Sequence, residues 1–272
     1  MKKTVLTLLT AAFALFSFSA CEKEQNPVPA KPKTNTYVLV HGAWQAPYVW
    51  DAVQTDLVNK GNKVIIVELP GHGSDHSLTH TLTLDVYANK VIEAITPIEE
   101  KVILVGHSMG GMVVSQVAER IPDKISKLVY IGAFLPKNGQ ALTDLAFSDP
   151  DSHLGPNLIE SADHLTLDVN EAELINLFIA DGSEAAKQSV RENYRAEPAI
   201  PLTNQAVLTT EKFGSVDKVY IKTLQDVVIS TGLQDRMIKD AGIKTVYEVN
   251  TSHSPFLSQP TVISTLLLKV GL

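Results

Sequence analysis

The chain has 272 residues, a formal charge of −7, a hydrophobic fraction of 44% and a single cysteine. That composition supports a packed core and excludes a disordered chain, and the length fits one large α/β domain or two small ones. The lone Cys excludes a disulfide framework and a cysteine-based metal site; a negative balance with no basic block argues against nucleic acid as the main partner.

The first residues differ from the rest. Lys2 and Lys3 precede an apolar run from Val5 to Ala20. The run is too short for a comfortable membrane span, and residues 1–20 read as a signal peptide. Phe18-Ser19-Ala20-Cys21 resembles the lipobox of bacterial lipoproteins. The resemblance implies cleavage before Cys21 and lipidation of its thiol. The product would be an exported lipoprotein, membrane-anchored at the periplasmic face or the cell surface. A secreted protein without lipid is the plainer alternative. Residues 21–35 hold three prolines among polar side chains and read as a lipidated Cys followed by a flexible tether. The domain to explain is 36–272.

Six apolar, β-branched runs follow in order: Tyr37–Val40, Val64–Val67, Val102–Val105, Leu128–Ile131, Val219–Ile221 and Thr245–Val249. Continuous apolar runs of this length suit strands buried on both faces. Helical stretches separate them, at about 49–60, 83–96, 110–120, 233–241 and 260–270. The alternation predicts an α/β fold, a mostly parallel, doubly wound sheet with helices on both sides. Residues 134–207 break the rhythm with helical patches mixed with Pro and Gly. A structureless insertion of that length is improbable, so the segment is expected to form a helical lid.

Gly106-His107-Ser108-Met109-Gly110 matches G-x-S-x-G between a strand and a helical run, the context that a nucleophile elbow requires. A serine hydroxyl needs a base, and the base needs a partner that orients it and supports its cationic form. His253 follows the last strand. Asp226 is the first acid after the fifth; Asp235 is its main rival, Asp240 lies on the same helical face, and Asp217 precedes the strand at the wrong end. An oxyanion hole needs two backbone N–H groups. Met109 supplies one. Position in the loop His41-Gly42-Ala43-Trp44 assigns the other to Ala43. His41 is expected to brace that loop by hydrogen bonding without titrating in catalysis.

These segments, with Pro70-Gly71-His72-Gly73 and Thr251-Ser252-His253-Ser254-Pro255-Phe256, resemble in order the α/β-hydrolase superfamily. Within it they are similar to the branch of plant methylesterases, hydroxynitrile lyases and bacterial esterase relatives. The resemblance implies catalytic Ser108, Asp226 and His253, oxyanion donors Ala43 and Met109, and no cofactor. The lyases carry Thr where this chain has Gly42 and Lys where it has Ser254. A haloalkane dehalogenase would need Asp at 108. These departures favour hydrolysis.

The remaining candidates read more plainly. His72, His76 and His80 have helical metal spacing, but Pro70, Gly71 and Gly73 make the start of the segment a loop. A solvated loop over the site rim is the expectation, with no metal. Trp44, Tyr48 and Trp50 line a pocket or close the core, and the sequence leaves both open. Phe134, Leu135, Phe178 and Phe256 raise the same question from the lid side. The expected function is hydrolysis of a small carboxylic ester through an acyl-enzyme. The alternatives are a lactone or C–C bond hydrolase, or a surface lipoprotein that binds a small ligand and turns over little. Oligomeric state is not legible.

Overall fold

The computed structural model describes residues 34–272. The expected signal segment, Cys21 and the tether to residue 33 lie outside the described residues. Among the described residues nine strands follow in chain order: β1 (Thr36–Val40), β2 (Lys63–Val67), β3 (Val102–His107), β4 (Ile125–Ile131), β5 (Leu158–Glu160), β6 (Thr166–Val169), β7 (Glu197–Pro198), β8 (Lys218–Thr223) and β9 (Thr245–Val249). The α-helices are α1 (Asp51–Asn59), α2 (Leu84–Ile95), α3 (Gly110–Arg120), α4 (Leu142–Phe147), α5 (Leu174–Phe178), α6 (Glu184–Asn193), α7 (Ile200–Thr203), α8 (Thr231–Ala241), α9 (Pro255–Ser258) and α10 (Pro260–Val270).

Six strands form one parallel sheet in the order β2-β1-β3-β4-β8-β9. All six runs read from the sequence are strands of this sheet. The period of two sends alternate side chains to opposite cores. Tyr37, Leu39, Ile103, Val105, Val129 and Ile131 pack with α1 and α10 through Val53, Leu57, Ile263 and Leu267. Val38, Val40, Leu104, Leu128 and Tyr130 pack on the other side with Val91 of α2, Val113 of α3 and Met237 of α8. The helices begin where local chemistry allows. Thr83 Oγ1 accepts from the Val86 N–H at the start of α2, and Ser230 Oγ from the Leu233 N–H at the start of α8.

β1 and β3 are neighbours, yet β1 leads to α1 on one face and β3 to α3 on the other. Their carboxyl ends therefore diverge and leave a crevice, the place where open α/β sheets bind ligands. His41 and Ser108 stand at its two sides.

The insertion between β4 and β8 adds a small sheet to the helices expected of it. It contains α4–α7 and also a small antiparallel sheet, β5-β6-β7. Its strands have three, four and two residues, and β7 pairs with β6 across a long chain separation. Runs that short carry no readable period, and only the tertiary contact makes them strands.

Candidate active site

The site assembles at the carboxyl ends of β1, β3, β8 and β9. Ser108 sits in the turn from β3 into α3 with φ 50, in the left-handed region where an L-residue is strained. The turn is possible because its flanks carry no side chain. A Cβ on Gly106 would stand 2.6 Å from the Gly110 carbonyl oxygen, and one on Gly110 would stand 2.8 Å from the His41 carbonyl oxygen. The β1 loop closes against the same turn. A Cβ on Gly42 would stand 2.7 Å from Ser108 Cβ. Ala43 follows Gly42 in this loop and Met109 follows Ser108 in the turn, and among the described residues the backbone N–H of neither donates to an acceptor.

His253 lies in the loop after β9 and is 1% exposed. Its Nδ1 stands 2.8 Å from Asp226 Oδ2. A carboxylate only accepts, so Nδ1 carries a proton and donates it to Asp226, and Nε2 is the ring nitrogen left to face elsewhere. The rest of Asp226 is fully engaged. Thr223 Oγ1 donates to Oδ2 at 2.7 Å, and the N–H groups of Val228 and Ile229 donate to Oδ1 at 2.8 and 3.0 Å. Four donors around one buried carboxylate fix its plane. Asp235 is held elsewhere: its side chain is 61% exposed and pairs with Lys222. Asp240 pairs with Lys137.

His107 links the two halves. Its Nε2–H donates to the His253 carbonyl at 2.9 Å, and the two rings lie 4.6 Å apart. Burial, with the neighbouring His253 ring, pushes its pKa well below the ordinary value, so it stays neutral. His41 also stays neutral: burial first and the nearby His72 second push its pKa down to about 3. Its Nε2 accepts from the Leu69 N–H, which leaves Nδ1–H to donate to the Gly42 carbonyl at 2.9 Å. His41 thus holds the peptide unit whose N–H belongs to Ala43.

The aromatic residues divide. Trp50 is core, tilted at 46° to Phe256 with ring centroids 4.4 Å apart, and Phe256 meets His107 edge-on. Trp44 faces the site: its ring is 5.5 Å from Phe178, and Phe178 is 6.0 Å from His253. Phe134 and Leu135 are buried in the core shared with α3 and α8. Tyr48 is half-buried beside Trp50.

A model of the alpha/beta hydrolase family matches residues 37–265. The chain belongs to that family. Methylesterase 17 of Arabidopsis thaliana is 31% identical over 271 residues, covering 92% of this chain and 97% of the relative. Two chloroplastic methylesterase-family proteins of the same plant are longer, and the chain spans 59% and 64% of their lengths. An extracellular alpha/beta-hydrolase from a Paenibacillus species is 27% identical, with a TM-score of 0.75 over 86% of this chain and 98% of that one. Polyneuridine aldehyde esterase shares the fold, with a TM-score of 0.78 at 24% identity over 88% of this chain and 100% of that one.

Sequence reasoning misplaced or missed several residues of this α/β-hydrolase site. His72 is not on a solvated loop. It is 2% exposed, with Nε2 2.8 Å from Glu197 Oε2 and Nδ1 3.1 Å from the Pro70 carbonyl. His76 and His80 are exposed. No cluster of three or more His, Cys, Asp or Glu suited to a metal occurs among the described residues. Asp149 accepts from the Ser230 N–H and hydroxyl at 2.8 and 2.6 Å, and the Ser252 hydroxyl donates to Asp181. Glu197, Asp149 and Asp181 all belong to the insertion, and each grips a loop that carries a site residue. Their partners lie 71 to 153 residues away in the chain, beyond any local signal.

Proposed function

We propose that the chain is a serine hydrolase of small carboxylic esters, working through an acyl-enzyme. The observation that carries this reading is the 2.8 Å contact from His253 Nδ1 to Asp226, which leaves Nε2 free as a base beside the strained Ser108 turn. Ser108 Oγ attacks the ester carbonyl while His253 Nε2 takes its proton. Negative charge develops on the carbonyl oxygen between the N–H groups of Ala43 and Met109, and the N-terminal end of α3 adds its dipole. Asp226 supports the imidazolium. Collapse expels the alcohol, which takes the proton from His253. Water then attacks the acyl-enzyme with His253 again as base, and Ser108 is released.

The names of the relatives support a small alcohol such as methanol, and the apolar faces of Trp44 and Phe178 support an apolar acyl group. Cyanohydrin cleavage is disfavoured, because a departing cyanide needs a neighbouring cation. Ser254 is neutral and its Oγ accepts from Gln45 Nε2 at 2.9 Å. The test compares wild type with Ser108→Ala on p-nitrophenyl acetate, methyl esters and lactones. Loss of about a thousandfold or more in kcat on esters is expected. Equal rates would overturn the reading, and preference for lactones would move it to that substrate class. We further propose that the chain is anchored through a lipid on Cys21, supported by the sequence Phe18-Ser19-Ala20-Cys21.

A further inference from the structure

Trp44 has φ 58, a conformation that a bulky residue adopts only when its surroundings impose it. Two hydrogen bonds impose it, and both acceptors come from the insertion. The Trp44 backbone N–H donates to Glu197 Oε2 at 2.9 Å, and the indole Nε1–H donates to the Leu167 carbonyl at 2.9 Å. Leu167 and Glu197 face each other across the β6–β7 pair, so one small sheet supplies both contacts.

Glu197 is fully buried, and its Oε2 accepts a second time, from His72 Nε2 at 2.8 Å. Both nitrogens of the His72 ring face acceptors, Glu197 and the Pro70 carbonyl, so the ring is an imidazolium. Its charge balances the carboxylate where water is excluded. Tyr87 stands edge-on to the ring at 5.6 Å, and the neutral His41 lies 4.9 Å away. Arg195, two residues before Glu197, donates to the Gly73 and Asp75 carbonyls and ties the same insertion segment to the same loop.

These contacts converge on Ala43. The peptide unit before its Cα is held by His41 Nδ1–H through the Gly42 carbonyl. The unit after its Cα is held by Glu197 through the Trp44 N–H. With both neighbouring peptide planes fixed, the direction of the Ala43 N–H is fixed as well. We propose that Glu197, charge-balanced by His72, is a positioning residue for oxyanion stabilisation: the insertion aims the Ala43 N–H by holding the next peptide. The proposal rests on the esterase reading of Ser108.

A group that aims an oxyanion donor acts on the transition state more than on the bound ester. Two ligands separate those states. A trifluoromethyl ketone adds Ser108 to its carbonyl carbon and places the resulting oxyanion between the donors; the matching alcohol binds the same pocket without forming that adduct. In Glu197→Ala, kcat is expected to fall about 10- to 100-fold with KM changed less than about threefold. Ketone affinity is expected to fall in parallel and alcohol affinity to hold. Glu197→Gln keeps an acceptor for the Trp44 N–H but loses the charge, and is expected to lose about three- to tenfold in both kcat and ketone affinity. It also serves if Glu197→Ala fails to fold. Wild-type kcat and ketone affinity in Glu197→Gln or in folded Glu197→Ala overturn the proposal, as does an equal loss of ketone and alcohol binding. Wild-type protein with neither ester turnover nor ketone binding overturns the esterase reading itself, and the proposal with it.

Discussion

Asp226 binds His253 through one carboxylate oxygen and its own loop through the other. Oδ2 meets His253 Nδ1, while Oδ1 takes the N–H groups of Val228 and Ile229. The carboxylate is therefore locked in the plane in which it meets His253. Asp226→Asn keeps the shape and changes the proton logic. Its amide oxygen stays with the two backbone donors, so its NH2 group turns toward His253 Nδ1 and forces the proton onto Nε2, the wrong tautomer for a base. A kcat loss on the order of ten-thousandfold is expected, with an unfolding midpoint close to wild type. A loss under tenfold would mean that another acid supports His253.

The buried pair of His72 and Glu197 makes stability depend on pH. Burial opposes the charge on His72, but the carboxylate charge and hydrogen bond of Glu197 outweigh it and raise the pKa above 6.5. The folded form thus holds a proton that the unfolded form releases near pH 6.5. The pair's contribution is full below that pH and fades as pH rises through the folded value. Urea unfolding from pH 5 to 9 should show wild type losing its advantage over His72→Gln as pH increases. A constant difference would mean that His72 does not carry the proton. At low pH the variant should be less stable by about 3 kcal/mol, because a buried carboxylate loses its partner.

Gly106→Ala tests the elbow. Its Cβ would meet backbone, the Gly110 carbonyl oxygen at 2.6 Å and carbon at 2.8 Å, with Val114 Cγ2 at 2.9 Å. Backbone at both contacts cannot step aside as a flexible side chain does. A destabilisation of about 1–3 kcal/mol in urea is expected, with loss of ester turnover as the turn around Ser108 shifts. Unchanged stability and activity would show that the turn tolerates a side chain.

The lipid anchor is tested by metabolic labelling with palmitate in a bacterial host. Label is expected on the wild-type chain and absent from Cys21→Ser. Label that survives the substitution places the lipid elsewhere and defeats the anchor on Cys21.

The sheet, the turn around Ser108 and the place of His253 were all legible in the sequence. Six β-branched runs are six parallel strands because a strand buried on both faces leaves a local, unbroken apolar signature. Ser108 was legible because an elbow needs small residues at fixed spacing, and His253 because it follows the last strand directly. The rest depends on how distant segments meet. Asp226, held by the N–H groups of Val228 and Ile229, is the carboxylate that meets His253, while Asp235 is exposed and pairs with Lys222. His72 read as a solvated loop residue, because the carboxylate that meets it is remote in the chain. Its partner, Glu197, arrives 125 residues later on a two-residue strand. Strands and turns are set by short-range periodicity and sterics, which a sequence displays. A buried charge is tolerated only where a distant partner meets it out of water, and that meeting exists only once the chain has folded.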